Sequence, residues 1–170
     1  MRRAILVLTV MAATVAVASG VALAVTVLGT EDPDDLAGGA DNDSILGLGG
    51  NDVMDGGSGN DFVEGDSGND SVYGNAGSDR ITGATGDDIL ADGETAGGAY
   101  DVLKGEAGKD VLAPINEPAG QDLTMCGAGT DIAYVDETDL VVGCERVLLR
   151  PPTCAEEKKI RADRGLLGRI

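Results

Sequence analysis

Asp43, Asp52, Asp61, Asp70, Asp79 and Asp88 follow one another at intervals of nine residues. A carboxylate repeated at fixed spacing can bind a hard cation, relay protons or simply hydrate a surface. The surrounding residues decide among these. Gly47, Gly56, Gly65, Gly74 and Gly83 keep the same period, as do Gly50, Gly59, Gly68, Gly77 and Gly86. Two residues after each aspartate stands an apolar side chain: Ile45, Met54, Val63, Val72, Ile81 and Leu90. The frame slips by four residues at Asp92–Thr95 and resumes with Asp101 and Leu103, then Asp110 and Leu112. After a second slip at Pro114–Asn116, two degraded rows place Asp122 before Thr124 and Asp131 before Ala133.

Elements of two kinds must position these carboxylates. Glycines permit positive φ and close backbone approach, so each nonapeptide reads as a Gly-rich turn of six residues and an extended piece of three. One inward apolar side chain per row cannot fold alone, whereas stacked rows build a continuous thin core, a quasi-one-dimensional parallel β architecture. Stacking has an electrostatic consequence. Parallel strands lie about 4.8 Å apart, where two unit charges repel by about 0.9 kcal/mol in water and about 3.5 kcal/mol at an effective dielectric of 20. A ladder of carboxylates therefore opposes folding unless a cation intervenes. An all-oxygen donor set of aspartates and glycine carbonyls, in a flexible cage, suits Ca²⁺ better than Mg²⁺, and binding is then coupled to folding.

The nonapeptide Gly56-Gly57-Ser58-Gly59-Asn60-Asp61-Phe62-Val63-Glu64 resembles the G-G-x-G-x-D-x-U-x unit of the repeats-in-toxin (RTX), or hemolysin-type, calcium-binding proteins. The resemblance is strong over residues 38–113 and weaker over 117–134. It implies an all-β fold, a parallel β-roll (a right-handed β-solenoid), here following an N-terminal hydrophobic helix. It further implies Ca²⁺ held between turns two rows apart, by Asp43 with Asp61, Asp52 with Asp70, Asp61 with Asp79 and Asp70 with Asp88. Asp79 with Asp101 and Asp88 with Asp110 would continue the series across the insertion. Asp41 and Ala99 stand where the unit's fourth-position glycine belongs.

Composition bounds the rest. Residues 31–145 carry 27 acidic side chains against three basic ones. Such a surface repels nucleic acid and anionic lipid and attracts cations. There is no histidine, so Gly65-Asp66-Ser67-Gly68, which copies a serine-protease nucleophile sequence, cannot form a Ser-His-Asp triad. Asp88 is the periodic residue of its pair, and Asp87 reads as solvated. Met1-Arg2-Arg3 leads into 27 uncharged residues, with Ala16-Val17-Ala18 and Ala22-Leu23-Ala24 as cleavage sequences. That pattern fits a secretory signal peptide, and its length also permits an uncleaved membrane anchor.

The expected organisation is a leader or anchor over 1–30, an acidic linker over 31–37, the calcium-binding roll over 38–149 and a basic tail over 150–170. In an exported chain the three cysteines suggest one disulfide and one leftover thiol. Cys126–Cys144, closing a loop at the end of the acidic region, is the preferred pair, and Cys154 the remainder. The functional expectation is a secreted or surface-exposed calcium-binding module that folds on Ca²⁺ and has no catalysis of its own. A calcium-stiffened adhesive or surface-layer protein and an accessory to a secreted hydrolase are the alternatives. Calcium is the one partner implied; contact with a membrane would come only through an uncleaved N-terminus.

Overall fold

The computed structural model describes residues 23–93, 99–114 and 120–149. The hydrophobic N-terminal run up to residue 22, Cys154 and the basic tail lie outside them. Fourteen strands follow in chain order: β1 Thr26–Leu28, β2 Asp35–Gly39, β3 Ser44–Leu46, β4 Val53–Ser58, β5 Phe62–Ser67, β6 Ser71–Ala76, β7 Arg80–Thr85, β8 Ile89–Ala91, β9 Val102–Gly108, β10 Val111–Ala113, β11 Leu123–Gly129, β12 Ile132–Val135, β13 Leu140–Val142 and β14 Arg146–Leu149. Odd-numbered strands form one seven-stranded parallel sheet and even-numbered strands the other. The chain thus alternates between sheets with every row, and each strand pairs with the one two rows on. This is a parallel β-solenoid. Among the described residues there is no helix, and none long and apolar enough to cross a membrane.

Inward and outward positions alternate along each strand, as a pleated chain requires. In β4, Met54 and Gly56 face inward while Val53 and Asp55 are exposed. Ile45, Met54, Val63, Val72, Ile81, Leu90, Leu103 and Leu112 are all fully buried and form one core cluster with Leu36, Cys126, Ala133 and Val135. The apolar series deduced from the period is therefore the core. Thr124 holds the same register, between Leu103 and Val141, and is fully buried as well.

Two features differ from the sequence reading. Strands β4 to β7 span six residues rather than three, because parallel pairing continues through the first part of each Gly-rich turn, as at Gly39↔Gly57↔Asn75. Rows also precede residue 38. Leu36 pairs with Met54 and Val27 with Ile45, so the register runs back through the segments read as linker and leader. Gly29, Asp34, Leu36 and Gly38 already carry the nine-residue pattern; Glu31-Asp32-Pro33 in place of a glycine turn hides it.

At the other end, Cys126 and Cys144 form a disulfide with Cα atoms 5.0 Å apart. It ties β11 to the segment between β13 and β14, where pairing ends.

Candidate metal centre

Each periodic aspartate opens its row at an inward position, and the two sheets sort these residues into two columns. One contains Asp43, Asp61, Asp79, Asp101, Asp122 and Asp139; the other contains Asp34, Asp52, Asp70, Asp88, Asp110 and Asp131 and ends in Glu145. One hydrogen bond repeats along both. The amide of Asp43 donates to Oδ1 of Asp61 (2.8 Å), Asp52 to Asp70 (2.9 Å), Asp61 to Asp79 (2.7 Å) and Asp70 to Asp88 (2.8 Å). The insertion does not interrupt it: Asp79 donates to Asp101 at 2.7 Å and Asp88 to Asp110 at 3.0 Å. Asp101 and Asp110 continue to Asp122 and Asp131, and the last acceptors are Asp139 and Glu145.

The eight aspartates singled out from the period are therefore neighbours in the pairs expected, and all eight are buried. Asp122 and Asp131, from the degraded rows, are fully buried members too. Asp34 keeps the nine-residue interval to Asp43 and was open to counting, whereas Asp139 and Glu145 were not legible as members, because irregular rows surround them. Another residue missed is Asp92. It occupies the register of Gly38, Gly56 and Gly74, as the pairing of Tyr73 with Ala91 fixes. Its carboxylate joins those of Asp79 and Asp101 in a buried group whose oxygens lie within 4.8 Å of one another.

The second carboxylate oxygen is the chemically significant one. Oδ2 of Asp52, Asp61, Asp70, Asp88, Asp110 and Asp131 is buried and accepts no hydrogen bond. A buried carboxylate oxygen without a donor is costly unless it is protonated or bound to a cation. The glycine five residues earlier makes room for it. A Cβ on Gly56 would lie 2.7 Å from Asp61 Oδ2 and 2.7 Å from the Gly74 carbonyl oxygen. Carboxylate and carbonyl oxygens thus converge at Gly56, and likewise at Gly47, Gly65 and Gly105, the all-oxygen environment that a hard cation takes.

Protonation equilibria reflect the same crowding. Burial pushes the carboxyl of Asp88 up to about 6, opposed by the Asp70 amide it accepts and reinforced by the charges of Asp70, Asp110 and Asp87. Asp139 is pushed up to about 6, chiefly by burial, against the amides of Asp136 and Asp122. Asp52, Asp61, Asp70 and Asp110 shift upward for the same leading reason.

A second side-chain ladder runs outside the first with the opposite polarity. Asn60 donates its amide back to Asn42 Oδ1, and Ser78 to Asn60; Asn69 donates to Asn51, Asp87 to Asn69 and Lys109 to Asp87. Asp87 is exposed, but it is a rung of this ladder rather than a freely solvated group. Ser67, in the protease-like sequence, donates its hydroxyl to the Leu48 carbonyl oxygen at 3.0 Å, a contact between coils.

The family model of the RTX calcium-binding nonapeptide repeat (4 copies) matches residues 28–63, 55–90 and 95–113. The chain carries RTX calcium-binding nonapeptide repeats. Calcium is the ion that such repeats bind, and the donor-poor Oδ2 atoms and glycine carbonyls fit it. The RTX match begins at residue 28, in agreement with rows that precede residue 38. No curated protein matches this chain significantly.

Proposed function

We propose that this RTX chain is an exported calcium-binding module, secreted or held at the cell surface, that folds when it meets extracellular Ca²⁺ and performs no catalysis itself. One observation carries the reading: six buried Oδ2 atoms, in two columns, accept no hydrogen bond. Desolvated anions in file are unfavourable by themselves and favourable around a divalent cation. The ligands are Asp43, Asp52, Asp61, Asp70, Asp79, Asp88, Asp101 and Asp110, in pairs two rows apart, with glycine carbonyls completing each shell. The Cys126–Cys144 bridge favours an oxidising compartment, which supports export. The hydrophobic run up to residue 22 then acts as leader or anchor, the rows from β1 to β14 (Thr26 to Leu149) as the roll and 150–170 as a basic tail.

Extracellular calcium modules bind at about 10⁻⁴–10⁻³ M, a range that separates a calcium-poor cytosol from the outside. The test is a calcium titration of the mature chain followed by circular dichroism. A cooperative gain of β structure in that range is expected; persistent disorder at several times that concentration overturns the reading.

A further inference from the structure

Among the described residues the odd-strand column ends at Val25, and the chemistry of that end points to a processing site. Thr26 pairs with Ser44, which puts Val25 in register with Asp43, where every other residue of the column supplies a carboxylate. Val25 supplies none. Its amide nitrogen instead donates to Asp43 Oδ1 at 2.7 Å, and its carbonyl accepts from the Ser44 amide at 2.9 Å. From this residue onward the chain is built into the roll: Val27 packs on the core, and Gly29 stands in the glycine register, where a Cβ would collide with the Gly47 carbonyl. Leu23 and Ala24 immediately upstream are exposed, as is the Val25 side chain itself, so the peptide bonds around Val25 lie at the surface. Leu23 makes one exposed contact, its amide to Asp41 Oδ2 at 2.9 Å.

Ala22-Leu23-Ala24 has the small-x-small form read by a leader peptidase, and the charged start and apolar run precede it at the usual distance. We propose that the leader is removed between Ala24 and Val25, and that the new α-ammonium of Val25 caps the odd column by a charged hydrogen bond to Asp43. Hydrolysis of the Ala24–Val25 peptide bond consumes one water and yields a carboxylate on Ala24 and an ammonium on Val25. The nitrogen already placed against Asp43 becomes cationic where a file of carboxylates has no further neighbour. Charged donors bond carboxylates about twice as strongly as neutral ones. Cleavage after Ala18 would leave six further residues, Ser19 to Ala24, and no charge at this position.

This inference rests on the export reading, and the two fail differently. The full chain is produced in a secreting host with calcium present, and its intact mass and N-terminal sequence are determined. A terminus at Val25 is expected; Ser19, any other start or an uncleaved chain overturns the inference, and calcium-dependent folding of such a chain leaves the calcium reading standing. Ala24→Arg removes the small residue at the cut and is expected to abolish the Val25 terminus; its persistence would mean trimming by another route and also overturns the site. Capping is read separately, from the urea midpoints of calcium-loaded chains beginning at Val25 and at Ala24. The Val25 chain is expected to have the higher midpoint, and equal midpoints overturn the cap.

Discussion

Asp43 and Asp61 are eighteen residues apart, yet the amide of the first donates to the carboxylate of the second at 2.8 Å within a buried column. One side chain thus joins two coils through Oδ1 and leaves Oδ2 facing the turn. Asp61→Ala should leave the Asp43 amide without its acceptor, at a cost of about 1–3 kcal/mol. It should also remove a ligand shared by two pairs, with Asp43 and with Asp79. Calorimetric titration is expected to find two fewer calcium ions bound, against one fewer for Asp43→Ala, which belongs to one pair. Equal losses would contradict the shared-ligand arrangement.

In the metal-free chain, acid should help rather than harm. Asp88 and Asp139 have carboxyls raised to about 6 in the fold, against an ordinary carboxylate value near 4 when unfolded. The folded state therefore binds more protons between these values, and its stability falls as pH rises through about 6. Without calcium, β structure measured by circular dichroism should be greater at pH 4.5 than at pH 7.5. With calcium the order should reverse, because protons and ions compete for the same oxygens.

Gly56 is required by proximity, not by an unusual φ. A methyl group there would lie 2.7 Å from both Asp61 Oδ2 and the Gly74 carbonyl oxygen. Gly56→Ala should displace the carboxylate and weaken calcium binding around Asp61 at least tenfold, about 1.4 kcal/mol. Isothermal titration would detect this as a loss of affinity in a subset of sites.

Ala84 shows the opposite case. Its φ is +80°, in the register where Gly57 has +101°, and Leu48, Asp66, Asn75 and Glu106 are also left-handed there. A left-handed residue with a Cβ is strained by about 1–2 kcal/mol, which offsets the usual 0.5–1 kcal/mol advantage of alanine over glycine. Ala84→Gly should leave the urea midpoint unchanged or raised, whereas Ala91→Gly, at a residue without positive φ, should lower it.

Reduction of Cys126–Cys144 should destabilise the last coils by about 3 kcal/mol, from loop entropy alone. Cys144→Ser should reproduce that loss, read as a lower urea midpoint in calcium. Hydrogen exchange is expected to quicken in β13 and β14 before β5 and β7.

The interior of this molecule was open to a sequence reading because stacking makes every row do the same work. Ile45 to Leu112 and Asp43 to Asp110 could be picked out by counting in nines, since each stands in a repeated environment. The ends and the insertion were not so legible. Asp92 breaks the period, and only the pairing of Ala91 with Tyr73 reveals that it sits where other rows have glycine. Glu145 ends its column through a longer side chain, 14 residues after Asp131 rather than 18, because the last turn is short. The outer ladder was hidden for another reason: Asn, Ser and Asp all accept an amide hydrogen, so chemical equivalence there leaves no identity to count.

The insertion after Asp92 lengthens one coil, yet the bonds from Asp79 to Asp101 and from Asp88 to Asp110 keep the geometry of the uninterrupted rows. Each rung thus senses the neighbouring coil and not the path by which the chain arrives there. A whole coil could be duplicated or excised in the gene, and the residues on either side of the scar would meet the partners they already expect. The uninterrupted rows are interchangeable stock. Individuality is confined to the insertion with Asp92 and to the ends, where Val25 stands in place of a carboxylate on one side and the disulfide and Glu145 stand on the other.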